Sequence, residues 1–240
     1  MTVRIGLLEF DHVDERYRHL SGDYADMFTA LFGEASDFEL VRYDAVNGAL
    51  PASPAECDGW LATGSRKSAY DDEEWIHRAG GFVRAAAATD APFVGICFGH
   101  QLLAHALGGT VERAPSGWGA GVVAVDVVQK EPWMQPPRAD VRLHFMHQDQ
   151  VTALPDGGRV VAAAAHCPVA AFTVGDTMLG IQAHPEFTVP YAEALLTDRT
   201  ERIGGDSAAA ALASLTTPTD EAVVAQWITS FFAFGQKLGA

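Results

Sequence analysis

The chain has 240 residues, 48% of them hydrophobic and 20% charged, with a formal net charge of −15. A chain of this length and apolar content buries a substantial core, which excludes wholesale disorder. Its acidity repels phosphate backbones and anionic lipid, so neither a nucleic acid nor a membrane is an expected partner.

The first element is an apolar run, Val3–Phe10, with the texture of a buried parallel strand. A helix is expected around Asp23–Phe32, a second strand over Phe38–Tyr43 and a third over Gly59–Thr63. Asp71, Asp72, Glu73 and Glu74 then open a helix that runs to about Ala88, since acids in a first turn complement the helix dipole. Pro92–Ile96 reads as another strand. It leads straight into a helix over Gly99–Leu107, where Leu102, Leu103, Ala106 and Leu107 fall at helical spacing. Alternating strands and helices argue for a parallel sheet with helices on both faces.

Beyond Gly109 the texture changes. Short strand-like runs (Gly121–Val128, Val141–Met146, Val160–Ala165, Ala170–Val174 and Met178–Ala183) are separated by turn signals such as Asp156-Gly157-Gly158, as in antiparallel hairpins. His166-Cys167 is read as part of a strand. The chain then returns to helix, with Thr219 as an expected N-cap and with Val224, Trp227, Ile228 and Phe231 as a core-facing stripe. The fold class expected is α/β, a flavodoxin-like, mostly parallel sheet flanked by helices with an added antiparallel hairpin region, in a single domain over residues 1–240.

Three cysteines, Cys57, Cys97 and Cys167, are too few and odd in number for a disulfide framework. The N-terminus reaches Glu9 and Asp11 without a basic-then-apolar signal layout. The longest stretch free of Asp, Glu, Lys and Arg, Val160–Gly175, is too short and broken to span a bilayer. A cytoplasmic location is expected.

Cys97 lies where a strand ends and a helix begins, flanked at i−2 and i+2 by Gly95 and Gly99. This is the layout of a nucleophile elbow with Cys in place of Ser: the strained turn needs neighbours without side chains, and the N-terminal end of a helix favours an anion. An inert buried cysteine beside a glycine-rich turn has the same local pattern. A second segment, Gly180-Ile181-Gln182-Ala183-His184-Pro185-Glu186-Phe187, ends a strand in His-Pro-Glu. Residues i and i+2 of extended backbone share a face, which puts Glu186 beside the His184 ring. His144 and His147 lack a third ligand at recognisable spacing, so no metal is expected. Without a P-loop or a G-x-G-x-x-G no nucleotide is expected, nor any other cofactor.

Together these segments resemble the class I, triad-type glutamine amidotransferase family, and in particular its stand-alone members related to the glutaminase domain of GMP synthase, a group that includes γ-glutamyl peptidases. Further stretches match in order: Asp58–Ser65 followed by Ser68–Asp71 resembles the oxyanion-strand loop, Gly117-Trp118-Gly119-Ala120-Gly121 a Gly-Trp-x-x-Gly turn, Met146–Val151 a Ser-His-x-Asp-x-Val segment, and Cys167–Phe172 a further strand. Met146 departs from a frequent Ser, and Ala120 from a residue that is often acidic.

The resemblance implies that Cys97 attacks the γ-carbonyl of a glutamine-like substrate, that His184 moves the proton and that Glu186 orients it. It implies an oxyanion hole from the backbone N–H groups of Phe98 and of Gly64 or Ser65. Gln101 would bind the amino-acid end of the substrate, with His147, Gln148 and Asp149 closing the pocket. The implied partner is a small γ-glutamyl compound, hydrolysed by the chain alone. Two alternatives stand beside this: a glutaminase subunit feeding ammonia to a separate synthetase, and a non-catalytic binding or regulatory member. An intact Cys97, His184 and Glu186 argue against the last.

Overall fold

A computed structural model describes residues 3–33 and 38–238. The chain begins with β1 (Val3–Leu8), the short α1 (Arg18–Ser21) and α2 (Tyr24–Phe32), then β2 (Phe38–Tyr43) and β3 (Gly59–Ala62). It continues through α3 (Glu74–Ala88), β4 (Phe93–Ile96) and α4 (Phe98–Ala106). Seven further strands follow: β5 (Thr110–Arg113), β6 (Gly119–Val127), β7 (Asp140–His147), β8 (Asp149–Ala153), β9 (Gly158–Ala164), β10 (Cys167–Val174) and β11 (Met178–Ile181). The last elements are α5 (Val189–Asp198), α6 (Thr200–Ile203), α7 (Gly205–Ser214) and α8 (Glu221–Leu238).

Nine strands form one sheet in the order β2-β1-β3-β4-β11-β10-β9-β6-β7. The first five pair in parallel and carry the fold; from β11 onward the pairings are antiparallel, so the hairpins extend the same sheet. Strand alternation sorts side chains to two cores. Ile5, Leu7, Leu61, Val94 and Ile96 face α2 and α8, meeting Phe28, Ile228 and Phe231. Leu8, Trp60, Ala62 and Phe93 face α3 and α4, meeting Phe82, Val83, Leu102 and Leu103. The expected α8 stripe is buried as read: Val224, Trp227, Ile228 and Phe231 all belong to the first core. Among the described residues no helix is long and apolar enough to cross a membrane.

Four local expectations change. Of the acidic run before α3 only Glu74 lies in the first turn, with Glu73 at the N-cap: the Glu73 carboxylate is taken by Lys67 and by the indole N–H of Trp75, and Asp71 accepts from the Ser68 N–H at 3.0 Å. Thr219 does not cap α8: the Asp220 carbonyl accepts from Val223 and Val224, while the Thr219 hydroxyl donates to Glu221. His166 lies in the turn before β10 rather than in a strand. The separate two-stranded sheet of β5 and β8 was not anticipated.

Candidate active site

Cys97 is the residue between β4 and α4, and its backbone sits at φ +52°, ψ −100°. Only one other described non-glycine residue, Asp90, has positive φ. Such a conformation costs on the order of 1–3 kcal/mol and persists only where the surroundings enforce it. The enforcement is visible. The Cys97 N–H donates to the Ile181 carbonyl at 2.8 Å, fixing the turn to the end of β11. A Cβ on Gly95 would stand 2.3 Å from the Gly99 carbonyl oxygen, and one on Gly99 would stand 2.8 Å from that of Ala62. Both flanking glycines are therefore required by close backbone approach, as the strand–turn–helix pattern predicts. The thiol caps no helix N–H, and its side chain opens on a cavity of about 150 Å³.

His184 follows β11, the parallel neighbour of β4, so two strands adjacent in space but distant in sequence bring it to Cys97. Its Nδ1 lies 2.7 Å from Glu186 Oε1, and both side chains are buried. The pairing matches the sequence expectation, but its backbone cause differs: Pro185 and Glu186 form a turn rather than extended strand. The His184 N–H is held at 2.8 Å by the His144 carbonyl, and the Phe187 ring stacks on the imidazole with centroids 3.9 Å apart. Burial alone would lower the pKa of His184. The negative charges of Cys97 and Glu186, with hydrogen bonds to both, outweigh it and raise the value to about 10. A Cβ on Gly64 would stand 2.9 Å from His184 Cε1 and 3.6 Å from Cys97 Cβ, so the histidine and cysteine meet over this glycine.

The Gly64–Ser65 peptide is pinned. The Thr63 hydroxyl donates to the Gly64 carbonyl at 3.0 Å and accepts from the Phe10 N–H at 2.9 Å. Carbonyl and N–H of a trans peptide point in opposite directions, so fixing the Gly64 carbonyl fixes the Ser65 N–H. Among the described residues the N–H groups of Gly64, Ser65 and Phe98 find no protein acceptor.

Gln101 is buried, with its amide donating to the Asp149 carbonyl at 2.7 Å and to Gln182 Oε1 at 3.1 Å. With both N–H bonds spent, Oε1 is left as an acceptor. The Asp149 carboxylate accepts from the Ser68 hydroxyl. His147, Gln148 and Asp149 line the cavity beside Gln101 and Cys97. His147 is neutral, its pKa pushed well below the ordinary value by burial and then by His166, His184 and His100. The sequence reading missed Thr63, Ser68 and Phe187 as supports, and Arg66, Lys67, Arg199 and Arg202 on the cavity wall. Thr63, Ser68 and Phe187 lay inside segments that carried the resemblance without being given a role, and the four cations gave no signal.

Glu9, His12 and Asp23 bring possible ligand atoms within 4.8 Å of one another. Arg42 binds Glu9 in a fork at 2.9 and 3.2 Å, while His12, Arg18 and the Val13 N–H satisfy Asp23, so these acids are already neutralised by protein groups.

The family model for glutamine amidotransferase class-I matches residues 38–200. The chain belongs to this family. The chain is 30% identical over 173 residues to gamma-glutamyl peptidase 4 of Arabidopsis thaliana, covering 69% of this chain and 68% of that protein. It is 31% identical over 153 residues to a subunit of the glutamine-hydrolysing GMP synthase of Halobacterium salinarum, covering 62% of this chain and 78% of that protein. Among solved structures, a glutamine amidotransferase from Methylobacillus flagellatus superposes with a TM-score of 0.74 at 24% identity, covering 99% of this chain and 95% of that one. The amidotransferase fold places Cys97 at the carboxyl end of a parallel strand, the position where open α/β sheets bind ligands.

Proposed function

We propose that this amidotransferase-family protein hydrolyses the amide of γ-glutamyl compounds through a γ-glutamyl thioester on Cys97. The observation that carries the reading is the strained turn holding Cys97 beside the buried His184–Glu186 pair. In the first half-reaction the Cys97 sulfur bonds to the γ-carbonyl carbon, the C–N bond breaks and the departing amine takes a proton from His184. In the second, His184 accepts a proton from water as its oxygen attacks the thioester, and the C–S bond breaks to release glutamate. Glu186 holds Nδ1 of the imidazole throughout. The N–H groups of Phe98 and of Gly64 or Ser65 serve the oxyanion; one such donor is typically worth about 3 kcal/mol of transition-state stabilisation. The acceptor Oε1 of Gln101 suits the substrate α-ammonium group, with His147, Gln148 and Asp149 around it.

A diazoketone analogue of glutamine should label Cys97 and spare Cys57 and Cys167, and Cys97→Ser should keep the fold and lose nearly all turnover. Labelling at another cysteine, or none in an active preparation, contradicts the assignment. The similarity to one component of a GMP synthase favours a second reading, a glutaminase that feeds ammonia to a separate synthetase. That reading requires the isolated chain to be idle on a panel of γ-glutamyl compounds and to be awakened by the partner; turnover alone at about 1 per second or more supports the independent hydrolase.

A further inference from the structure

We propose that Arg199 and Arg202 form an anion subsite for the leaving group, so that the preferred substrate is a γ-glutamyl compound whose amine carries a carboxylate, a γ-glutamyl amino acid or peptide. The inference rests on the hydrolase reading above and narrows its substrate. The chain carries 16 Lys and Arg against 31 Asp and Glu, yet Arg66, Lys67, Arg199 and Arg202 all line the cavity that holds Cys97. Two of these cations are already committed: Arg66 grips Asp11 in a fork, both bonds at 2.8 Å, and Lys67 pairs with Glu73. Among the described residues no carboxylate is paired with Arg199 or Arg202. The Arg202 guanidinium lies over the Trp118 ring, 5.4 Å from its centroid, a contact that positions the charge without neutralising it.

The polarity of the site says which end of the substrate they meet. Gln101 presents an acceptor and Asp149 lies beside it, so that end suits the α-ammonium group. The leaving amine must depart on the side of the group that protonates it, His184. From His184 a packed row runs through Phe187 to Tyr191, whose ring meets Phe187 edge-on at 4.9 Å. Tyr191 lines a second cavity of about 160 Å³, which shares Arg66, Arg199 and Arg202 with the first. The two unpaired arginines therefore line both the cavity that holds Cys97 and a neighbouring one of similar size, and a carboxylate held between them gains charge-assisted bonds from planar donors suited to it. Ammonia, the leaving group of glutamine, gains nothing.

The test compares γ-glutamylglycine with its C-terminal amide on the full chain. The ratio of kcat/KM, acid over amide, should be about tenfold or more, carried in KM, because a charged partner typically adds that much. It should fall toward one in Arg199→Gln/Arg202→Gln and be largely retained in Arg202→Lys. A ratio near one in the intact chain overturns the proposal. So does an equal loss on both substrates in the double variant, which would place the arginines at the glutamyl end. Calorimetry of the same two ligands on Cys97→Ala reads the subsite without turnover: tighter binding of the acid that the double variant loses supports it, and equal binding overturns it. Glutamine and γ-glutamyl turnover by the intact chain reports the hydrolase reading separately.

Discussion

At the scale of single residues, the site turns on a proton held where burial would remove it. His184 is fully enclosed, yet Cys97 and Glu186 raise its pKa to about 10 from an ordinary 6.5. A raised folded value stabilises the fold fully below about pH 6.5, and that contribution is lost as pH rises towards 10. Activity that uses the imidazolium should fall over the same alkaline range. Glu186→Gln removes one of the two anions, so the alkaline limb of kcat/KM should move to lower pH. On the proposed mechanism His184 transfers a proton in each step while Glu186 only holds it, so His184→Ala should cost about a thousandfold in kcat and Glu186→Gln less. A pH-rate profile of the three chains checks both statements; an unmoved limb in Glu186→Gln contradicts the electrostatic cause. Cys97, His184 and Glu186 were legible because each sits inside a motif whose spacing has a chemical reason. Arg199 and Arg202 were not, since an arginine between two helices and another in a four-residue helix fall in no motif. Only the folding of α5 and α6 over the sheet end turns them to the cavity.

At the scale of elements, the β4–α4 junction is the part with least freedom. Gly95→Ala would drive a Cβ to 2.3 Å from the Gly99 oxygen and 2.7 Å from the His100 nitrogen, both backbone atoms that cannot rotate aside. The variant should lose about 2–3 kcal/mol or more in urea unfolding, the upper range for overpacking. Gly205→Ala at the start of α7, where a Cβ meets nothing within 4 Å, is the contrasting control and should be neutral or slightly stabilising. The strands β1, β3 and β4 were readable to within one or two residues because each is a short apolar run, fully buried in β3 and β4 and from Ile5 onward in β1, whereas β2 was read at its observed bounds although none of its residues is fully buried. β5 and β8 were not. Thr110–Arg113 buries only Val111, and Asp149–Ala153 begins inside a motif read for its chemistry, so neither shows the alternation of a strand. Sheet pairing across β5 and β8 creates them, a long-range cause that local pattern does not carry.

At the scale of the whole molecule, a set of buried histidines makes the fold sensitive to acid. Burial lowers His100 to about 3, and burial together with the neighbouring His184 lowers His144 to about 4; both are neutral in the folded chain. The unfolded chain takes up these protons near pH 6.5, so stability falls as pH drops from there through the folded values. Each such group is worth on the order of 2 kcal/mol by pH 5. Urea midpoints should therefore fall between pH 7 and 5, and His144→Leu should flatten the slope; a slope unchanged by that substitution would remove His144 from the cause. The fold class was readable from the order of strands and helices. The burial of His100, His144, His147 and His184 was not, because only tertiary packing decides whether a polar ring faces water.

The placement of β11 has a consequence for biosynthesis. This strand lies between β4 and β10, with Ile181 in register with Ile96, and His184 and Glu186 follow it directly. Until β11 slots into that gap, everything between residues 96 and 181 is a loop whose ends have not met, and closure of so long a loop is a late, slow event in a growing chain. A nascent chain can thus display Cys97 on the ribosome long before it owns the base that would arm it. On the proposed mechanism chemical competence arrives together with completion of the sheet, because a half-made molecule carries Cys97 without His184 and Glu186.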